Sequence, residues 1–102
     1  MRNDIFYRQP DRMEVFTVKE FSYTLTGETG LHARGAGKLV TEAQSFNSNI
    51  SIVYNDRIEN LKRLFAVTCL GAKKGDFVTV RAQGSDENEA AASLENYFRE
   101  NL

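Results

Sequence analysis

The only histidine, His32, lies between a glycine turn and the predicted start of a helix. A helix start presents backbone N–H groups without internal partners, together with the positive end of the helix dipole, and both favour a bound anion. The same dipole disfavours an imidazolium, which favours a neutral, nucleophilic ring. Arg34 follows two residues later, and a guanidinium suits phosphate oxygens. The spacing is therefore compatible with phosphoryl chemistry at His32, and a structural or incidental histidine stays open at this point.

Other site classes fit the sequence poorly. One histidine and one cysteine are too few for a typical zinc site. The run Gly35-Ala36-Gly37-Lys38 is similar to part of a phosphate-binding loop, but the Walker pattern needs glycine at His32 and Ser or Thr at Leu39. A dinucleotide motif would need a third glycine where Val40 stands. Cys69 lies in an apolar helical pattern, which predicts a buried structural thiol rather than a reactive one.

The elements that must position His32 are predicted in the order βαββαβα, which suits one sheet with helices on a single face. Phe21, Tyr23 and Leu25 alternate with polar residues, which is typical of a strand. Phe16 and Val18 have the other parity, so a bulge or break is expected near Lys19–Glu20. Spacings of three and four predict the buried face of the first helix: Ala33, Ala36, Leu39, Val40 and Ala43.

The second half of the chain completes this order. Strands are predicted over 49–54 and 57–60, joined by a turn at Asn55-Asp56. A short helix is predicted over 63–70, ended by Gly71, with Leu64, Val67 and Leu70 facing the sheet. A strand over 77–82 follows. The last helix is predicted to be capped by Asp86 with Glu89, and to bury Ala90, Ala91, Leu94, Tyr97 and Phe98.

Composition bounds the class of protein. The chain has 102 residues, which suits one domain, and a net charge of −1, which gives no overall attraction to nucleic acid or anionic membrane. A lone cysteine fits a reducing compartment. Without a long apolar run or an apolar signal-peptide centre, we expect a cytoplasmic protein with no membrane insertion.

Gly30-Leu31-His32-Ala33-Arg34 resembles the active-site signature of the HPr family, the histidine phosphocarriers of the bacterial phosphoenolpyruvate:sugar phosphotransferase system. Asn60-Leu61-Lys62, followed by an apolar helix with Leu70-Gly71 and then by Lys74-Gly75, is similar to the family's second signature. Gly84 with Asp86-Glu87 and an alanine-rich last helix also fits. The resemblance covers residues 18–102 and leaves 1–17 as an N-terminal extension.

This resemblance implies an α+β fold, the HPr-like open-faced β-sandwich, with a four-stranded antiparallel sheet and three helices on one face. It implies that Enzyme I passes a phosphoryl group to Nδ1 of His32, that Arg34 stabilises the group, and that a IIA-type acceptor collects it for sugar uptake. The chain would be a transfer intermediate rather than an enzyme, without a cofactor or a substrate pocket of its own. Partner docking is assigned to Leu64, Phe65 and Thr68; alternatively, Phe65 tucks under the neighbouring loop.

Three features depart from the family pattern. Gly35 stands where proline is typical, which predicts a more mobile loop–helix junction and slower transfer. Arg63 replaces the serine that a dedicated kinase phosphorylates in Gram-positive members, so that regulatory serine is absent. Residues 1–17 extend the chain, and Phe16 and Val18 could lengthen the first strand or pair with a second subunit, giving a homodimer through the N-terminal strand.

Two functions therefore remain in competition. The intact signature around His32 favours a phosphocarrier. Gly35, Arg63 and the extension favour an HPr-like regulatory protein that docks on a partner enzyme or transcription factor. A nucleic-acid-binding domain is disfavoured, because the chain lacks a basic stripe with stacking aromatics.

Overall fold

The computed structural model describes residues 18–102, and the predicted order βαββαβα is confirmed there. The seven elements are β1 (Lys19–Thr24), α1 (Ala33–Gln44), β2 (Asn49–Tyr54), β3 (Arg57–Asn60), α2 (Leu64–Thr68), β4 (Phe77–Gln83) and α3 (Glu87–Asn101). The predicted extension, residues 1–17, lies outside the described residues.

The four strands form one antiparallel sheet in the order β1-β4-β2-β3. Alternate residues such as Phe21, Ile52 and Val80 are buried between the sheet and the helices. The opposite face is open to solvent, as the hydrogen bond of 2.8 Å between the exposed Ser22 and Thr79 hydroxyls illustrates. This is the predicted open-faced α+β sandwich, in which one polar sheet face suits an antiparallel sheet.

β1 is a regular strand. Each residue from Lys19 to Thr24 pairs with a successive residue of β4, from Ala82 back to Phe77. No extra residue interrupts this register, so the bulge expected near Lys19–Glu20 is wrong, whereas the alternative of a break agrees with the start of β1 at Lys19. Val18 precedes the strand and is exposed, so its parity does not have to match the core.

α1 presents an amphipathic surface with small residues on its buried face. Ala36, Leu39, Val40 and Ala43 are buried as predicted, and their spacing of three and four places them toward the core. Ala33 is exposed, so its assignment to the core was wrong. It lies in the first turn, where the helix projects past the core beside His32.

α2 spans only Leu64–Thr68, which is shorter than the predicted 63–70. The C-cap is Cys69, so the predicted end at Gly71 is wrong; Gly71 lies two residues farther on, with a φ of 71°. So short a helix buries little: Val67 is buried, whereas Leu64 is 45% exposed and does not face the sheet as predicted. Cys69, at the C-cap, is exposed, so the prediction of a buried thiol is also wrong.

α3 supplies the largest fully buried side chain, Phe98, which packs edge-to-face against Phe21 and Tyr23 at 5.5 and 5.6 Å between ring centroids. Ala90 and Leu94 are also buried, while the predicted core residues Ala91 and Tyr97 are only half-buried.

The predicted capping box of α3 is wrong. Asp86 occupies the N-cap position, but its side chain makes no capping hydrogen bond. Its carboxylate instead accepts from the Asn47 and Ser48 N–H groups at 2.8 and 2.9 Å and from the Ser48 hydroxyl. The carboxylate therefore ties α3 to the segment between α1 and β2.

Candidate functional site

His32 is the N-cap residue of α1, with extended backbone angles of φ −79° and ψ 165°. Its carbonyl accepts the first helical hydrogen bond, from the Ala36 N–H at 2.7 Å. Its imidazole makes no capping hydrogen bond and is exposed to solvent. The N–H groups of the first helical turn have no intrahelical partners, so an anion held on the ring meets the positive end of the helix.

The loop before His32 is held against the segment between α2 and β4. The Leu31 N–H donates to the Ala72 carbonyl at 3.0 Å, and the Leu31 side chain is buried. Gly30 has a φ of 57°, and a Cβ there would lie 2.5 Å from the Ala72 oxygen and 2.7 Å from Lys73 Cα. Only glycine fits both the turn and this close approach, which explains the glycine of the signature.

Residues 71–76 thus form the support of the His32 loop, and Asp76 within that segment bonds both to its backbone and to Tyr54 of β2. Asp76 Oδ2 accepts from the Lys73 N–H at 2.8 Å and from the Tyr54 hydroxyl at 2.7 Å. Sequence reasoning did not single out Tyr54 or Asp76. Their 22-residue separation carries no local motif, so the contact becomes visible only in the folded chain.

Arg34 lies in the first turn of α1, exposed, and forms no ion pair with any residue in 18–102. His32 and Arg34 share an open depression of about 490 Å³ between α1 and the end of α3. The depression is also lined by Thr29, Gly35, Lys38, Tyr97, Asn101 and Leu102. The two predicted chemical residues therefore lie at one site.

A second open depression, of about 430 Å³, lies on the α2 side of His32. Its lining includes Leu31, Ala33, Thr68, Gly71, Ala72 and Lys73. Thr68, predicted to belong to the docking surface, therefore borders the same site as the histidine.

The exposed face of α2 adjoins this second depression. Phe65 is 81% exposed, which excludes the alternative that it tucks under a loop, and Leu64 is 45% exposed. The Thr68 hydroxyl donates to the Phe65 carbonyl at 3.0 Å. Arg63, at the N-cap position, is exposed as well. An apolar pair thus lies on the surface beside the histidine.

Two other features, a metal site and a membrane-spanning helix, are absent from residues 18–102. No group of three or more His, Cys, Asp or Glu side chains in this part of the chain could hold a metal ion. None of the described helices combines the length and the apolar character needed to cross a membrane.

The fold and site define an open-faced α+β protein with an exposed histidine at a helix start. The family model described as the PTS HPr component phosphorylation site matches residues 19–100. The phosphocarrier protein HPr of Buchnera aphidicola is 43% identical over 70 residues, or 69% of this chain and 82% of the relative. The chain therefore belongs to the HPr family of phosphocarriers.

Solved structures agree with this assignment. The histidine-containing phosphocarrier protein of Mycoplasma superposes with a TM-score of 0.78 and 35% identity, covering 80% of this chain and 93% of that one. Crh of Bacillus subtilis, described as a dimer with a swapped domain, superposes with a TM-score of 0.66 and 29% identity, covering 95% and 98%. The resemblance drawn from the sequence is thus confirmed at the level of family and fold.

Proposed function

We propose that this chain accepts a phosphoryl group on His32 from an Enzyme I-like donor and passes it to a IIA-type acceptor in sugar uptake. The observation that carries the proposal is the exposed imidazole at the start of α1, which makes no capping bond and lies beside Arg34, a cation without an ion pair in residues 18–102. The matches to HPr phosphocarriers support it.

The transfer step needs a nucleophile and positioned donors. The lone pair of His32 Nδ1 attacks the phosphorus of the donor, so that a new N–P bond forms as the bond to the donor breaks and its electrons leave with the donor. The group in flight carries spread-out negative charge in a loose transition state. The guanidinium of Arg34 and the N–H groups of the first turn of α1 can stabilise that charge without covalent chemistry of their own. The reverse sequence delivers the group to the acceptor, so the chain acts as a carrier.

Docking of both partners is assigned to the exposed surface of α2 formed by Leu64, Phe65 and Thr68. An exposed aromatic beside the reacting residue is a suitable anchor for a transient interface. Arg63 lacks a hydroxyl, so we expect no phosphorylation of this chain at the position of the family's regulatory serine. The carrier is expected to work in the cytoplasm, where a free cysteine such as Cys69 stays reduced.

A homodimer through the N-terminal strand is a further proposal. β1 lies at one edge of the described sheet, with β4 as its only described neighbour, and an open edge can pair with a second chain. The relative Crh, described as a swapped dimer, supports this possibility. Sedimentation equilibrium of the full chain tests it, and a mass equal to one chain at all concentrations would reject it.

A second candidate function is an HPr-like regulatory protein. Gly35 and Arg63 depart from the family pattern, and the Bacillus relative Crh is named for catabolite repression. Such a protein would dock on a partner enzyme or transcription factor without needing to carry a phosphoryl group.

Labelling separates the two candidates. Incubation with Enzyme I and labelled phosphoenolpyruvate is expected to give an acid-labile, base-stable phosphate on the wild type and none on His32→Ala. Cys69→Ser is the matched control, because it removes the other exposed nucleophile near α2 and is expected to keep the label. Equal labelling of the His32→Ala variant would reject the assignment. An unlabelled wild type would favour the regulatory protein.

A further inference from the structure

We propose that Tyr54 and Asp76 are positioning residues for His32, holding the segment on which the His32 loop rests. The proposal deepens the proposed function and rests on it for its kinetic consequences. Its structural basis is a chain of hydrogen bonds from the end of β2 to the backbone beside the histidine.

The first link joins β2 to the support segment. The Tyr54 hydroxyl donates to Asp76 Oδ2 at 2.7 Å, and the same oxygen accepts the Lys73 N–H at 2.8 Å. The Tyr54 hydroxyl bond is the largest cause that lowers the pKa of Asp76 from its ordinary value, followed by the Lys73 N–H. The same bond raises the pKa of Tyr54, so at neutral pH a phenol donates to a carboxylate.

The Tyr54–Asp76 hydrogen bond lies beyond the end of the backbone pairing between β2 and β4. The paired residues of these strands run from Asn49–Gln83 to Val53–Thr79, so Tyr54 is beyond the last pair. The side-chain bond therefore fastens the start of β4 and the preceding turn on the β2 side, where the backbone pairs have ended. On the β1 side, backbone hydrogen bonds hold the same segment, from the Leu25 N–H to the Asp76 carbonyl at 2.9 Å and from the Gly75 N–H to the Leu25 carbonyl at 2.7 Å. Both side chains are half-buried, and the Tyr54 ring packs against the hydrophobic core, so only its hydroxyl is assigned to this link.

The second link runs from the support segment to the histidine. Lys73 directly follows Ala72, whose carbonyl accepts the Leu31 N–H, and Leu31 directly precedes His32. The Gly30 backbone approaches Ala72 and Lys73 so closely that even a Cβ would not fit between the two segments. A displacement of residues 72–73 therefore moves the backbone that carries the imidazole.

Lys73 gives this link a second consequence. It lines the depression beside His32, and its attraction contributes to the lowered pKa of Asp76. By anchoring the Lys73 backbone, Asp76 also determines where this cation lies relative to an incoming phosphoryl group. In phosphoryl transfer, misplacement of the reacting group by about 1 Å can cost up to about 100-fold in rate.

Tyr54→Phe tests the proposal, because it removes one hydroxyl and keeps the ring. We expect the turnover of Enzyme I-dependent transfer to fall about fivefold, with the KM for this chain nearly unchanged, since the docking surface on α2 is untouched. In the unphosphorylated protein, the imidazole resonances of His32 are expected to shift. The matched control is Thr79→Val, which removes the 2.8 Å Ser22–Thr79 bond on the far face of the sheet and should change neither quantity.

Coupling to Asp76 completes the test. If Tyr54 acts through Asp76, the double variant Tyr54→Phe/Asp76→Ala should transfer no more slowly than Asp76→Ala alone. Melting curves of every variant establish that measurements are made on folded protein. Unchanged His32 resonances and turnover in Tyr54→Phe, or equal changes in Thr79→Val, would overturn the proposal. If the wild type accepts no phosphoryl group, the proposed carrier function fails, and the His32 resonances alone still decide whether the pair positions the ring.

Discussion

At the scale of single residues, an N-cap side chain can either bond back to its own helix or leave the N–H groups of the first turn available to another ligand. Many N-cap side chains bond back to the helix, but the His32 imidazole makes no such bond and is exposed. The N–H groups of the first turn therefore stay available for an anion. Arg34 adds a cation that no carboxylate in residues 18–102 neutralises.

The role proposed for Arg34 leads to a kinetic prediction. Arg34→Ala is expected to fold normally and to transfer the phosphoryl group at least about tenfold more slowly, because the loss of one charge-assisted contact costs about 1.5–3 kcal/mol. Stopped reactions with Enzyme I and labelled phosphoenolpyruvate measure the rate. Arg81→Ala is the control, since that arginine pairs with Glu20 on the open sheet face at 3.0 Å. Unchanged kinetics in Arg34→Ala would indicate that the backbone donors suffice.

At the scale of elements, the short length of α2 explains its exposed surface. A helix of five residues cannot bury a full stripe, so Val67 enters the core while Leu64 and Phe65 remain outside.

α1 differs from the family pattern in its first turn, where a glycine replaces the typical proline. Gly35, in its first turn, is half-buried, and a Cβ there would lie 3.4 Å from Leu102 Cδ2, so the space accepts an ordinary side chain. The glycine therefore reflects no steric demand, in contrast to Gly30.

The exposed face of α2 predicts a separation of binding from stability. Phe65→Ala is expected to leave the melting temperature nearly unchanged and to weaken Enzyme I binding by about 1–2 kcal/mol, as for a truncated interface anchor. Titration calorimetry and a melting curve measure the two effects. Phe77→Ala is a matched control, because Phe77 is 60% exposed in β4, whose outward residues lie on the open sheet face away from α2. A large loss of stability with unaltered affinity would place Phe65 in the packing of the fold instead.

At the scale of the whole molecule, side-chain carboxylates join elements that the sheet ladder leaves apart. Asp86 ties the start of α3 to Asn47 and Ser48. Asp76 ties the end of β2 to the support of the His32 loop. Ser93 in α3 likewise donates to Glu42 in α1. The hydrogen bonds to Asp76 and Asp86 lower the pKa values of these two carboxyls, so the stability of the fold is expected to fall in acid.

Asp86 allows this sensitivity to be measured. The Ser48 hydroxyl, followed by the Asn47 N–H, lowers the pKa of Asp86 from its ordinary value of about 3.9. A depressed pKa contributes stability that is complete above about pH 5 and is lost as the pH falls through the folded-state value. We therefore expect Asp86→Asn to be less stable than the wild type at pH 7, and to lose less further stability between about pH 5 and pH 2.

Denaturant titrations at several pH values give the free energies of unfolding for this comparison. Asp56→Asn is the control, because that exposed carboxylate in the β2–β3 turn has no hydrogen-bond partner among residues 18–102. Parallel pH profiles for wild type and Asp86→Asn would contradict the proposed source of the acid sensitivity.

The sequence by itself determined the order of elements and the glycine turn before His32, and it named the candidate chemical residues of the site. These features are local: a helix start, a two-residue turn or a signature such as Gly30-Leu31-His32-Ala33-Arg34 depends on neighbours within one or two turns of chain. The same local information placed Phe65 outside the buried stripe of α2, although the helix ends before the predicted Gly71.

Only the tertiary structure decided which partner each ambiguous side chain meets. Spacing alone could not tell that Ala33 and Leu64 lie at the exposed ends of their helices, or that Cys69 turns outward. Asp86 has the local signature of a helix cap, yet it bonds to Ser48, 38 residues away. Tyr54 and Asp76 carry no local signature at all. The reason is physical: a periodic pattern specifies a face, but burial and hydrogen-bond partners depend on what the folded chain brings against that face.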